Sequence, residues 1–263
     1  MRIAFWNVRN GIANNKDKIE KLLAYAEEPQ ILIFAECEDY HIPSKYKYKS
    51  LLDVGYEPVA WTGDYIHKGL GVFAKPGLVE ACSIRTSDDT KDAGYFIAFS
   101  LIGSKQDVIA VWSKTETPHS EKHYCHYVKA ILEQNYDAQR YPLFIGDFNM
   151  SLQYSKQLPY APQVFEAFTK VGLESNYHAS RNIALGEETG YTFFMYGKDP
   201  CKIHGKYGEY EIPPLMLDYA FSKPGNIGSM NIPCEPNERK EWLQRSDHLP
   251  LVVDLIDSLE KES

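Results

Sequence analysis

Five short segments, spread from the start of the chain to near its end, share one pattern: an apolar stretch of strand length meets a cluster of Asn, Asp, Glu or His. They are Ile3-Ala4-Phe5-Trp6-Asn7, Ile33-Phe34-Ala35-Glu36, Phe144-Ile145-Gly146-Asp147-Phe148-Asn149, Met216-Leu217-Asp218-Tyr219 and Ser246-Asp247-His248-Leu249-Pro250. Polar tips on buried strands are where active sites tend to be built. Each segment alone also has a plain reading, because Asp, Asn and Gly are the residues that turn a chain after a strand. Glu36 is followed by Glu38 and Asp39, and such an acidic cluster is usually a solvated loop. Their joint occurrence carries the argument.

The rest of the chain supplies a scaffold for those tips. Arg2 to Val8 reads as a strand, Ile19, Leu22, Leu23 and Ala26 recur at helical spacing, and Gln30 to Ala35 is a second apolar run, which together make a βαβ-like opening. Further strands are expected at Gly69 to Lys75, Glu80 to Arg85, Tyr95 to Ile102, Asp107 to Ser113, Tyr141 to Gly146, Tyr191 to Tyr196, Leu215 to Phe221 and Leu249 to Ile256. A helix is expected to start at Thr117, with Tyr124, Tyr127, Val128, Ile131 and Leu132 inward, and another to cover Gln163 to Val171 and stop at Gly172. Gly197 to Pro214 is too long and polar for an ordinary connection, and reads as a functional loop or a small hairpin. Two or three helices against about nine strands predict a sheet-on-sheet core with helices outside. No repeat, low-complexity tract or linker divides residues 1–263, so a single domain is expected.

Composition narrows the partners. A net charge of −8 opposes wrapping of duplex nucleic acid by a broad basic face, but leaves room for a local basic rim beside an acidic site that a cation neutralises. The five cysteines are scattered and form no CxxC pair, which argues against a disulfide framework or a zinc knuckle. No apolar run reaches the roughly 18 residues of a spanning helix. The expectation is a cytoplasmic monomer without a membrane anchor.

In their order along the chain, Trp6-Asn7-Val8, Glu36, Gly146-Asp147-Phe148-Asn149, Leu217-Asp218-Tyr219 and Ser246-Asp247-His248 resemble the motifs of the endonuclease/exonuclease/phosphatase superfamily. The resemblance runs from residue 6 to residue 248. It implies an α/β fold, a four-layer α-β-β-α sandwich with two mixed sheets packed face to face. It also implies that Glu36, with Asn7, holds Mg²⁺ or Mn²⁺, and that Asp247 is a second or alternate ligand, in keeping with a hard cation that takes few carboxylates and keeps several waters. Asp147 would position or deprotonate the attacking water, Asn149 and His248 would donate to the phosphoryl oxygens, and Asp218 would fix the His248 ring.

Two places depart from that pattern. Many relatives carry another Asp or Asn just after the first motif, whereas here Arg9 follows Asn7 by two residues, as a phosphate contact or as an ordinary surface arginine. Relatives usually end the middle strand with a phosphate-contacting His or Tyr, but Ala110-Val111-Trp112-Ser113-Lys114 has neither. Lys114, His119 or His123 could take that place. His178 is a further candidate for a substrate contact. His119, His123 and His126 lack an HExxH pattern and read as a solvated or capping helix face. Lys45-Tyr46-Lys47-Tyr48-Lys49 reads as a strand with one lysine face and one tyrosine face, or as a wall that tracks a nucleic-acid backbone.

The leading expectation is a Mg²⁺- or Mn²⁺-dependent phosphodiester hydrolase, a nuclease cutting DNA as an endonuclease or exonuclease. The alternative on the same fold is a phosphatase or phosphodiesterase of a small or lipid-linked ester. A catalytically silent binding module is the third reading, opposed by the intact polar set at the strand tips.

Overall fold

The computed structural model describes residues 1–12, 16–40, 49–84, 95–114, 124–137, 140, 142–153, 159–198, 200–205 and 208–256. The strands of the first half are β1 (Arg2–Asn7), β2 (Ile31–Cys37), β3 (Glu57–Tyr65), β4 (Lys68–Ala74), β5 (Val79–Cys82), β6 (Tyr95–Leu101) and β7 (Asp107–Trp112). Those of the second half are β8 (Leu143–Asp147), β9 (Glu174–Ser175), β10 (Cys201–Gly205), β11 (Gly208–Ile212), β12 (Asp218–Ser222), β13 (Ile227–Asn231) and β14 (Leu251–Leu255). The helices are α1 (Lys16–Tyr25), α2 (Lys49–Asp53), α3 (Tyr124–Asn135), α4 (Ala161–Lys170), α5 (Asn176–Arg181) and α6 (Pro236–Leu243).

Two six-stranded mixed sheets, in the orders β13-β14-β1-β2-β4-β3 and β5-β6-β7-β8-β12-β9, face one another, with β1 against β8 and β4 against β6 and β7. The central strands read as unbroken apolar runs because both of their faces are covered. In β1, Ile3 to Asn7 are all buried. Outside the first sheet, Trp242 of α6 meets Trp6 edge-on at 5.1 Å and Tyr25 of α1 at 5.4 Å. Outside the second, Phe168 of α4 stacks on Phe221 of β12 at 4.1 Å and meets Phe144 of β8 edge-on at 5.2 Å. The molecule is therefore the expected helix-sheet-sheet-helix sandwich.

Local differences from the sequence reading have physical causes. Tyr191 to Tyr196 is not a strand: Phe193 makes isolated bridges to Leu215 and His248, and a 3₁₀ turn follows at Met195–Gly197. Left-handed backbone at Tyr196 (φ 55°) and Gly197 (φ 68°) breaks the extended run. Gly197 to Pro214 contains the antiparallel hairpin of β10 and β11. The start of the helix expected from Thr117, with His119 and His123, lies outside the described residues, as do Lys45 to Tyr48.

Strand direction brings the polar tips to one end of the sandwich. β1 and β2 run parallel with Asn7 opposite Ala35, so Asn7 and Glu36 emerge together. β7 and β8 run parallel with Trp112 opposite Asp147, while the antiparallel β12 begins with Asp218 opposite Asp147. β14 is antiparallel to β1 with Leu251 opposite Phe5, so Asp247 and His248, which precede it, arrive at the Asn7 end.

Candidate active site

Special backbone geometry aims three of these tips. The β2–β4 register steps from Ala35 opposite Leu70 to Cys37 opposite Gly69, leaving Glu36 as the extra residue of a bulge with φ 60°. A bulge re-aims its side chain, and a left-handed non-glycine residue costs on the order of 1–3 kcal/mol. Asn149 has φ 50°, and its turn is held by its own backbone N–H, which donates to Asp147 Oδ1 at 2.9 Å. Gly146 has φ 154°, and a Cβ there would stand 1.9 Å from the Val111 carbonyl oxygen, so only glycine lets β8 lie this close to β7 just before Asp147.

The side chains meet at Asp147. Asn7 Nδ2 donates to Asp147 Oδ2 at 3.0 Å and reaches Glu36 Oε1 at 3.5 Å, joining the first sheet's tips to the second's. Asn149 Nδ2 donates to the Ser113 carbonyl at 2.8 Å and to Asp147 Oδ2 at 3.2 Å. His248 Nδ1 bonds Asp218 Oδ2 at 2.9 Å, and its Nε2 stands 3.9 Å from Asp147 Oδ2. Thr192 Oγ1 accepts the N–H groups of Leu217 and Asp218, both at 3.0 Å, which anchors the start of β12. Ser246 Oγ donates to the Asn7 carbonyl at 2.7 Å, and Trp6 Nε1 to the His248 carbonyl at 2.9 Å.

Burial pushes the Asp147 carboxyl up to about 7, with Asp218 adding to the shift and His248 opposing it. Burial by itself lowers the pKa of His248, but the facing carboxylates of Asp218 and Asp147 outweigh it and raise the ring to about 10. His248 is thus held as an imidazolium. Asp147, Asp218 and His248 lie close enough for one atom of each to meet a single ion, but His248 Nδ1 and Asp218 Oδ2 already bond one another. Glu36, about one-fifth exposed, offers a hard oxygen that suits a cation keeping several waters, and the buried Asn7 lies beside it with its amide oxygen accepting the Arg9 N–H.

The residues named as substrate contacts sit variously. Arg9 Nη1 is 3.3 Å from Asp247 Oδ2, and Arg9 N–H donates to Asn7 Oδ1 at 3.1 Å, which brings both Arg9 and Asp247 to the cluster. Lys114 Nζ is 3.4 Å from Asp64 Oδ2 and lies over the rings of Tyr95 and Trp112. His178 is buried with both ring nitrogens engaged, by Ser175 at 2.7 Å and by Glu188 at 2.9 Å. His126 packs against Tyr160.

Several members gave no distinct signal in the sequence. Lys68 Nζ lies 3.1 Å from Glu36 Oε2 and over Trp112, but lysines beside turns are commonplace. Glu38 is no solvated residue: it is buried, and its Oε2 accepts the Ile12 N–H at 2.8 Å. Lys18, also buried, donates to the carbonyls of Val8, Arg9 and Gly11. Thr192 acts through its hydroxyl on two backbone N–H groups and Ser113 through its carbonyl on Asn149, contacts that no spacing rule reveals.

No family model matches the chain, and no curated protein matches its sequence. Solved structures match its fold along nearly its whole length. The 3′ phosphatase NExo from Neisseria, bound to product DNA hairpin, is 19% identical with a TM-score of 0.68, over 97% of this chain and 99% of that one. An AP endonuclease from Archaeoglobus fulgidus is 18% identical with a TM-score of 0.67, again over 97% and 99%. An endonuclease/exonuclease/phosphatase family protein from Leptotrichia buccalis is 17% identical with a TM-score of 0.59, over 97% and 99%. The two facing mixed sheets, with the polar tips gathered at one end, give this chain the fold of the endonuclease/exonuclease/phosphatase family.

Proposed function

We propose that the chain is a divalent-cation-dependent phosphodiester hydrolase that cuts DNA. The observation that carries this is Asp147: a buried carboxylate placed within one hydrogen bond of Asn7 and Asn149 and facing the His248 imidazolium, whose other nitrogen is held by Asp218. Such a set has a proton acceptor with several donors converging on it.

In this reading Glu36 and Asn7 hold Mg²⁺ or Mn²⁺, which when bound supplies Lewis acidity toward a phosphoryl oxygen and cancels the charge of the surrounding carboxylates. Asp147 takes the proton of the attacking water, its raised pKa making it a stronger base than an ordinary carboxylate. Asn149 Nδ2, already oriented by the Ser113 carbonyl, donates to oxygens on which charge grows. His248 donates from Nε2, and Asp218 keeps that ring oriented and charged.

DNA is supported by two further observations. The structures that match this fold include an AP endonuclease and a phosphatase bound to product DNA. The β3–β4 turn, tied beside Glu36 by Lys68, carries the exposed ring of Tyr65 and the His67 ring packed 6.1 Å from it, a surface fit for a base or sugar.

The test is incubation with single-stranded, duplex and abasic DNA, RNA and an inositol phosphate panel, with Mg²⁺ or Mn²⁺ and with chelator. DNA scission that chelator abolishes is expected. Glu36→Gln should raise the metal concentration needed for half-maximal rate by more than the roughly 10–100-fold that loss of a supporting ligand contact costs. Inositol phosphate release far faster than strand scission would overturn the substrate assignment, and no metal-dependent turnover on any substrate would overturn the enzyme.

A further inference from the structure

After β1 the chain passes through three successive left-handed residues, Arg9 (φ 36°), Asn10 (φ 68°) and Gly11 (φ 81°). Two of the three carry side chains, and that conformation persists only when the surroundings impose it. Here they do so from several sides. Asn7 Oδ1 accepts the Arg9 N–H at 3.1 Å, Lys18 Nζ donates to the Arg9 carbonyl at 3.0 Å and to that of Gly11 at 3.1 Å, and the Gly11 N–H donates to the Glu36 carbonyl at 3.1 Å. Gly11 also lies directly against the Glu38 carboxylate, where a Cβ would stand 2.0 Å from Oε1. The backbone of Arg9 is thus built into the wall of the site.

Its side chain places a permanent charge there. Arg9 Nη1 is 3.3 Å from Asp247 Oδ2, with the arginine side chain 39% and the aspartate 15% exposed. The charges around the cluster then pair off: Glu36 with Lys68, Asp218 with His248, and Asp247 with Arg9. A divalent cation at Asp247 would have to displace the guanidinium or sit beside it, and like charges a few ångströms apart repel. At Glu36 the neighbouring cation is the Lys68 ammonium, a point charge on a flexible, 46% exposed stem that can swing into solvent, whereas the Arg9 backbone is pinned in the wall of the site. A guanidinium also presents five donors in a flat fork that matches phosphate oxygens.

We propose that Arg9 serves as the fixed cation on the Asp247 side of the site: it limits the chain to one divalent ion, held at Glu36 and Asn7, and grips the substrate phosphate directly. This rests on the phosphodiesterase reading above and specifies its metal count and its phosphate-binding residue. Asp247 then orients Arg9 and is no metal ligand.

Two measurements on the folded protein, checked by circular dichroism and melting temperature, test this: Mn²⁺ stoichiometry by paramagnetic resonance titration, and inorganic phosphate affinity by calorimetry at saturating Mn²⁺. Wild type should bind one Mn²⁺ per chain, and Arg9→Asp two. Arg9→Ala should weaken phosphate binding by roughly 10-fold or more, the loss of a charge-assisted hydrogen bond, and Arg9→Lys, which keeps the charge without the fork, by less. Two Mn²⁺ in the wild type, or unchanged phosphate affinity in Arg9→Ala, overturns the assignment of Arg9 while leaving the hydrolase standing. No Mn²⁺ binding and no turnover overturns both.

Discussion

Asp147 is a side chain whose surroundings alter its ordinary chemistry. It is 1% exposed, and burial raises its pKa to about 7. As the proposed base it works only when ionised, so kcat/KM should fall with unit slope as pH drops below about 7 at low metal concentration. A cation at Glu36 favours the carboxylate, so saturating Mg²⁺ should move that acid limb to lower pH. An unmoved limb would show that another group controls it. Asp147→Asn keeps the shape and removes the base, and kcat should drop by about 10²–10⁴-fold with little change in melting temperature. Gly146→Ala should be inactive for a different reason: its Cβ would collide with the Val111 carbonyl, so β8 must separate from β7 and shift Asp147, and both activity and stability should fall together. Retained wild-type activity in that variant would contradict the close approach of the two strands.

At the scale of elements, legibility followed how much of a residue pattern was spent on burial. α4 was readable because Val164, Phe165 and Phe168 recur at helical spacing and all point into the core. Phe168→Ala, which removes the ring stacked on Phe221 and packed on Phe144, should destabilise the fold by about 3–5 kcal/mol, measured by urea unfolding. α6 was missed because its eight residues, PNERKEWL, bury only Trp242; one large ring wedged against Trp6 and Tyr25 fixes the helix without any periodicity. β3 was missed because none of its residues is fully buried and its pairing with β4 shifts register twice. Tyr191 to Tyr196 failed in the opposite sense: strand-forming residues were overruled by the left-handed turn at Tyr196 and Gly197.

At the scale of the molecule, the end of the sandwich away from the polar tips is tied by an ionic clamp. Arg2 Nε donates to Asp254 Oδ1 at 2.6 Å and its Nη2 to Oδ2 at 3.1 Å, Ser229 Oγ donates to the same carboxylate at 2.6 Å, and Glu27 takes the remaining arm of Arg2. The clamp joins β1, β14 and β13. The hydrogen bond from Arg2 lowers the Asp254 pKa below its ordinary 3.8, against the opposing pull of burial. A carboxylate with a lowered folded pKa contributes stability that is complete above its unfolded value and is lost as pH falls through the folded one. Asp254→Asn should therefore lower the urea midpoint at neutral pH and narrow its gap from wild type in acid below that ordinary value. A constant gap across the range would assign the effect to packing.

The sequence by itself determined the chemistry available: which strands end in Asn, Asp, Glu and His, and that the core could be two covered sheets. These are properties of neighbouring residues, and burial writes them into composition and period. Only the tertiary structure decided which charge answers which. Arg9 meets Asp247, Lys68 meets Glu36, and Asn7 spans from Glu36 to Asp147 because strand direction, one bulge at Glu36 and one close approach at Gly146 fix distances of a few ångströms between residues far apart in the chain. Coulomb and hydrogen-bond energies depend on those distances, and no spacing along the chain encodes them.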